Sequence, residues 1–209
     1  MSFKLISVFA AGLLSAAPAF AANVTVDFDD LSGYGTSITN HYSAQGITFG
    51  ADALTASNDE LGPYFSNSPS GPAGSVMFAF GSNAAMNVAS GFTGTVSFYY
   101  SALVDTVVSV YSGLNGTGTQ LYTFNLAANT SSCSVPAACN WDVASVDLGG
   151  VAQSIQFGTA FISDVNDPHY GSTAVFDNVT VAPVPLPAAG WLLFSALGGF
   201  GAMARRKRA

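Results

Sequence analysis

Apolar and polar side chains alternate in short stretches throughout the middle of the chain. Val96, Phe98 and Tyr100 show this period of two, which is typical of a strand with one buried face. No segment between Ala22 and Pro183 has a helical period. The predicted strands are Val24–Phe28, Gly46–Phe49, Val76–Phe80, Thr95–Tyr100, Val107–Tyr111, Gln120–Leu126, Trp141–Leu148, Ser154–Phe161 and Thr173–Val181.

Turn signals separate these strands. The sequence from Leu114 to Gly118 contains Asn-Gly, which tolerates positive φ and predicts a hairpin connection. The Pro-, Ser- and Asn-rich stretch from Ala51 to Gly74 is predicted to be one long loop. Short strands at this spacing, with no internal repeat, predict an all-β domain, an antiparallel β-sandwich of jelly-roll type over residues 22–182.

The amino end has the pattern of a secretory signal peptide over residues 1–21. Lys4 is followed by the apolar run Leu5–Leu14, and Ala19 and Ala21 are small residues at the positions that a signal peptidase reads. We expect cleavage after Ala21 and export of the middle of the chain. An uncleaved anchor is the alternative, which the small residues disfavour.

The carboxyl end, residues 183–209, has three parts. Val184, Pro185, Leu186, Pro187 and Ala188 form a short extended motif, because each proline restricts itself and the residue before it. An apolar stretch of residues 188–204 then predicts a transmembrane helix of roughly 25 Å. The basic end after it is predicted to stay in the cytoplasm and to anchor the helix there; it consists of Arg205, Arg206, Lys207 and Arg208.

This order of parts resembles the PEP-CTERM sorting signal recognised by exosortases, in its VPLPA-type variant. Leu186 stands where the name-giving motif has Glu, which fits the variant. The resemblance implies an inner-membrane-anchored intermediate, processing near the proline motif by an exosortase, and transfer to the cell surface or extracellular matrix of a Gram-negative bacterium.

The charge of the exported segment differs from that of the whole chain. All five basic residues lie in the two ends, at Lys4 and from Arg205 to Arg208, whereas all 12 acidic residues lie in between. The middle therefore carries a formal charge of −12 (no basic and 12 acidic residues) instead of the −7 of the full chain. Nucleic acids are excluded as partners, because neutralising their phosphates requires Lys or Arg.

Cys133 and Cys139 are the two cysteines of the chain, and Ser, Ala and Pro lie between them. In an exported protein this pair predicts a disulfide that closes a small surface loop.

Acidic residues follow the first predicted strand and lie within the last one. The segments Phe28–Leu31, Tyr42–Phe49 and Phe176–Val179 resemble galactose-binding-like jelly rolls found among carbohydrate-binding modules. The resemblance implies one structural Ca²⁺ held by Asp29 and Asp177, since Ca²⁺ takes hard oxygen ligands. The alternative is that these carboxylates accept backbone N–H hydrogen bonds at turns.

Two His-Tyr pairs lie in predicted loops: His41 with Tyr42, and His169 with Tyr170. Tyr42, His169 and Tyr170 are candidate ligand-binding residues, because exposed rings can stack on sugars. They can equally cover the ends of the core. The acidic cluster from Asp164 to Pro168 has the composition of a turn and lacks the pattern of an EF-hand loop.

The sequence contains no nucleophile elbow, zinc-protease motif, P-loop or dinucleotide fingerprint. We therefore expect a protein without catalytic activity. The main interpretation is an exported structural protein of the cell surface or matrix, sorted by an exosortase. The alternative is a calcium-stabilised carbohydrate-binding module that acts on exopolysaccharide.

Overall fold

The computed structural model describes residues 22–58, 63–69, 71, 74–134, 138–158, 161–162, 171–172 and 174–184. Their regular structure is antiparallel strand, apart from one 3-10 turn at Ser43–Gln45. The strands are β1 (Val24–Val26), β2 (Tyr34–Ser37), β3 (Ile47–Phe49), β4 (Ala53–Ser57), β5 (Ser75–Ala79), β6 (Ala85–Ala102), β7 (Thr106–Tyr111), β8 (Gln120–Leu126), β9 (Asp142–Phe157), β10 (Phe161–Ile162), β11 (Gly171–Ser172) and β12 (Ala174–Pro183). The predicted all-β antiparallel class is confirmed.

The predicted leader and most of the sorting signal lie outside the described residues, including Pro185 to Ala188 and the basic end. Val184 is described, and its N–H donates to the Gly91 carbonyl at 2.8 Å. Within the described part of the chain, no helix has the length and apolarity that crossing a membrane requires.

Several strand bounds differ from the prediction. Gln120–Leu126 is a strand as predicted, whereas the two strands predicted over Trp141–Phe161 are largely one strand, β9. The residues Gly149 and Gly150 resemble a turn in the sequence, but in the structure they lie inside β9. The predicted strand Thr95–Tyr100 is likewise only part of the 18-residue β6.

The predicted long loop from Ala51 to Gly74 is wrong for one segment, because Ala53–Ser57 forms β4. Its composition, Ala-Leu-Thr-Ala-Ser, is weak in strand-forming residues. Pairing on both sides holds it in place: β4 bonds to β5 along its whole length and to β2 on its other edge. Tertiary pairing has overridden local preference here.

Hydrogen bonds join ten strands in the order β2-β4-β5-β12-β6-β9-β7-β8, with β1 on β12 and β3 on β6. Phe98 on β6 and Phe124 on β8 are three strands apart in this order, which is about 14 Å in a flat sheet. Their ring centroids are nevertheless only 5.0 Å apart. The sheet therefore folds over, and the two rings meet inside a sandwich.

The fold-over requires β6 to bend, and Gly91 lies in the bend. The register between β6 and β9 shifts between Asn87 and Phe92 and again after Phe92. Gly91 has φ +80, and a Cβ there would lie 2.6 Å from Val151 Cγ1. A glycine is required at this close approach.

The main core contains aromatic and branched aliphatic side chains from both layers of the sandwich. Within it, Phe98 also packs on Phe157 and Phe176. A smaller cluster around Phe65, Val76 and Phe78 is separate from it. The loop that carries Trp141 is attached to this smaller cluster, because the indole Nε1 donates to the Ser66 carbonyl at 2.9 Å. The predicted disulfide is confirmed: Cys133 is bonded to Cys139, with the Cα atoms 5.7 Å apart.

Candidate functional site

The outer face of β7 and its neighbours carries a set of polar side chains. Alternation along β7 places Val108 and Val110 in the core, so Val107, Ser109 and Tyr111 point away from it. The register then aligns Ser109 with Gln156 on β9 and with Thr123 on β8, and aligns Val107 with Asn125. These outward side chains form two adjacent rows, one across β9, β7 and β8 and the other across β7 and β8.

A cleft of about 620 Å³ follows this face. A volume of this size is within the range of small-molecule sites, which is about 300–1,000 Å³. The polar lining combines one carboxylate, two amides, hydroxyls and one phenol ring: Asp105, Asn125, Gln156, Ser82, Ser109 and Tyr111. Val107, which is 47% exposed, adds an apolar surface.

Several of these polar side chains have donors or acceptors without a partner in the described part of the chain. Within the described part of the chain, the side chains of Ser109 and Asn125 make no hydrogen bond. Gln156 donates from Nε2 to the Phe157 carbonyl at 3.1 Å, which leaves its Oε1 free among these residues. Asp105 Oδ1 accepts from Ala128 N at 2.9 Å, and the Tyr111 hydroxyl donates to Gln120 Oε1 at 3.2 Å. The cleft can therefore form new hydrogen bonds with a ligand.

The charge of the cleft restricts that ligand. Residues 22–184 contain no Lys or Arg, and Asp105 contributes a carboxylate to the lining. An anionic ligand would meet no compensating positive charge from a Lys or Arg of this segment. A neutral molecule rich in hydroxyl groups is compatible with the amides, hydroxyls and carboxylate present.

Tyr42, one of the predicted binding residues, lies in the core with 4% exposure. Its ring packs edge-on against Phe28 and Phe49, and its hydroxyl donates to Asp30 Oδ1 at 2.7 Å. Tyr42 therefore covers the end of the core, because too little of its ring is exposed to stack on a sugar. The other two predicted binding residues, His169 and Tyr170, lie outside the described residues.

Asp30 also contacts the histidine that precedes Tyr42, since His41 Nε2 lies 2.8 Å from Asp30 Oδ2. Burial acts to raise the pKa of Asp30, but the hydrogen bonds from Tyr42 and His41, together with the histidine's charge, hold it below the ordinary value. Burial, followed by the hydrogen bond to Asp30, raises the pKa of Tyr42 strongly. Tyr42 is thus the donor and Asp30 the acceptor in this pair.

The two carboxylates assigned to calcium by resemblance have different environments. Asp29 is exposed, and its Oδ1 accepts from Ser75 N at 3.3 Å. Asp177 is fully buried, and its Oδ1 accepts from Asn178 N at 2.8 Å. Both make the backbone hydrogen bonds of the alternative interpretation. In the described ranges, no group of three or more His, Cys, Asp or Glu side chains could hold a metal ion. Calcium stays a prediction.

The cleft residues were not singled out from the sequence. The alternation along β7 and β8 indicates that Ser109 and Asn125 point to one face, but it does not indicate which strands are neighbours. Gln156 reaches the site only because β9 inserts between β6 and β7. That order depends on long-range pairing, for which the sequence pattern has no local signal.

No family model matches this chain, and no curated protein matches it in sequence. The solved structures that are similar in part include the following three. The adhesin domain K1 of Lys-gingipain from Porphyromonas gingivalis aligns at a TM-score of 0.46 and 12% identity over 77% of this chain and 97% of that one. A family 29 carbohydrate-binding module from Piromyces equi aligns at a TM-score of 0.41 and 10% identity, over 78% of this chain and 91% of that module.

The third is a glycoside hydrolase family 43 arabinoxylan arabinofuranohydrolase from Bacillus subtilis, at a TM-score of 0.43 and 15% identity. The alignment covers 65% of this chain but only 26% of the hydrolase. All three TM-scores are below 0.5.

Proposed function

We propose that this chain is an exported carbohydrate-binding module, a β-sandwich of jelly-roll type that binds neutral polysaccharide in the cleft along β7. The observation that carries the proposal is the lining of the cleft: two amides, a carboxylate, hydroxyls and a phenol ring, with unused hydrogen-bonding groups on Ser109 and Asn125. Such groups match the donors and acceptors of sugar hydroxyls.

Each group has a distinct part in binding. The amides of Asn125 and Gln156 can donate to one sugar hydroxyl and accept from another. Asp105 accepts only, so it selects a hydroxyl that donates; a hydrogen bond to this charged group is stronger than a neutral one. Tyr111 offers a partly exposed ring for the apolar face of a sugar.

The sorting signal supports a location where such binding is useful. Transfer by an exosortase would place the module at the cell surface or in the extracellular matrix, next to exopolysaccharide. The structural role expected from the sequence and the binding role then coincide, because a matrix protein that binds polysaccharide is held in the matrix. Processing would leave a module with no Lys or Arg, suited to a neutral polymer.

A glycan array followed by calorimetric titration tests the proposal. The protein used is the segment of residues 22–184, which lies within one compact unit. We expect saturable binding to a neutral glycan, and a loss of at least about tenfold in affinity for Tyr111→Ala and for Asn125→Ala. Tyr99→Ala is the matched control, because Tyr99 is 36% exposed and does not line the cleft. The proposal fails if no neutral glycan binds, or if Tyr111→Ala binds as the wild type does.

A further inference from the structure

The hairpin turn between β7 and β8 covers part of the outer face. Ser154 points outward, because the neighbouring Ile155 and Phe157 are core residues. It is nevertheless 0% exposed, and Asn87, its cross-strand partner on β6, is 8% exposed. Polar side chains on the outside of a sheet become buried only if another part of the chain lies over them.

Four hydrogen bonds fix the turn in this position. Asn115 N donates to Asn87 Oδ1 at 2.7 Å, and Asn87 Nδ2 donates to Asn115 Oδ1 at 3.0 Å. Ser154 Oγ donates to the Gly113 carbonyl at 2.6 Å and accepts from Gly116 N at 3.0 Å. Asn115 and Gly116 have φ values of 56 and 68, as expected for this Asn-Gly pair. The turn is thus bonded to both β6 and β9.

The turn lies next to two residues that line the cleft, Tyr111 and Gln156. Tyr111, which lines the cleft, is paired with Ser154, which lies under the turn. Gln156 is the next outward residue along β9, and a Cβ on Gly116 would be 3.1 Å from its Oε1. The turn therefore forms a wall immediately beyond Tyr111 and Gln156.

We propose that the turn Gly113–Gly118 closes one end of the cleft, so that the module binds the end of a polysaccharide chain and not its interior. This inference depends on the proposed function. A terminal sugar can lie against the wall beside Tyr111 and Gln156, whereas a chain bound through its middle would have to continue through the space that the turn occupies. The substrate class is thus the terminal units of a neutral glycan.

The inference is tested by measuring how many modules bind to one polysaccharide chain. The probes are linear neutral glucan fractions of narrow and increasing length, in the linkage that binds best in the array. Chain-end recognition predicts about one bound module per chain at every length, whereas interior recognition predicts a number that rises in proportion to length. The latter result in the wild type would overturn the inference. A complete failure of every glucan and other neutral glycan to bind would instead reject the proposed function, and the inference with it.

A cyclic glucan of the same linkage gives a second measurement on the unaltered protein, because it has no chain ends. We expect it to bind at least about tenfold more weakly than a linear oligomer of equal size; equal binding would contradict chain-end recognition. Asn87→Ala removes both hydrogen bonds to Asn115 and should loosen the wall, so that the number of bound modules begins to rise with chain length. Ser90→Ala, on the same strand and outside the cleft lining, is its control.

Discussion

The hydroxyl of Tyr42, a residue that is 4% exposed, donates to the carboxylate of Asp30 at 2.7 Å. Asp30 follows β1, and Tyr42 precedes the 3-10 turn Ser43–Gln45, so the bond joins two loops at one end of the sandwich. His41 lies on the other carboxylate oxygen at 2.8 Å. A charged acceptor with two side-chain partners makes this end of the core sensitive to acid.

We expect Asp30 to make a contribution to stability that disappears in acid. Its folded-state pKa is below the unfolded value of about 3.9. The stabilisation is therefore complete above the unfolded pKa, and it is lost as the pH falls through the folded pKa. The melting temperature of Asp30→Asn should be lower than that of the wild type at neutral pH, and the two should converge as the pH falls through the folded-state pKa of Asp30.

Asp147→Asn is the control for that titration, because Asp147 is an exposed carboxylate on β9 that accepts no hydrogen bond within the described part of the chain. This variant removes a carboxylate without removing a side-chain hydrogen bond of the kind that Asp30 accepts. A constant difference between Asp30→Asn and the wild type at all pH values would show that ionised Asp30 does not stabilise the fold.

Phe98→Ala should destabilise the domain by about 3–5 kcal/mol. The ring is fully buried and contacts Phe124, Phe157 and Phe176, so its removal opens a cavity between the two layers. Denaturant unfolding measures the change. Val143→Ala is the comparison, since Val143 is 55% exposed, and it should cost less than about 0.5 kcal/mol. Equal costs would contradict the placement of Phe98 between the layers.

The sequence predicted the inward position of Phe98, because alternation is a local property. It did not predict the full length of β9, because two consecutive glycines, Gly149 and Gly150, are typical of a turn. The candidate site was missed for a related reason. Tyr111 and Gln156 become neighbours only through the pairing of β7 with β9, and that pairing is decided by the packing of the whole sheet.

Reduction of the disulfide should lower the free energy of unfolding by about 2 kcal/mol, because opening the short loop between Cys133 and Cys139 gives the unfolded chain more freedom. The double variant Cys133→Ser/Cys139→Ser should show the same loss without a reducing agent. Unfolding that is indifferent to both treatments would mean that the loop is already constrained in the unfolded state.

Calcium binding by Asp29 and Asp177 predicts that EDTA lowers the melting temperature and that added Ca²⁺ restores it. At a Kd of ~0.1 mM, ~10 mM Ca²⁺ would add ~2.7 kcal/mol to the free energy of unfolding. Asp29→Asn tests the ligand, because Asp29 is exposed and its replacement leaves the buried Asp177 in place. The variant should melt identically with and without Ca²⁺. If EDTA does not change the melting temperature of the wild type, calcium binding is refuted, and the role of both carboxylates is to accept backbone hydrogen bonds.

The sorting signal predicts a defined processing defect. An extended backbone around the proline motif is the shape that a processing enzyme can hold, and it depends on Pro185 and Pro187. The double variant Pro185→Ala/Pro187→Ala should therefore accumulate in the inner membrane with its carboxyl end intact, while the wild type reaches the surface without its ends. Pro183→Ala, at the end of β12, is the matched control and should be processed normally. Wild-type protein found in the cytosol with both Met1 and Ala209 retained would refute export and sorting together.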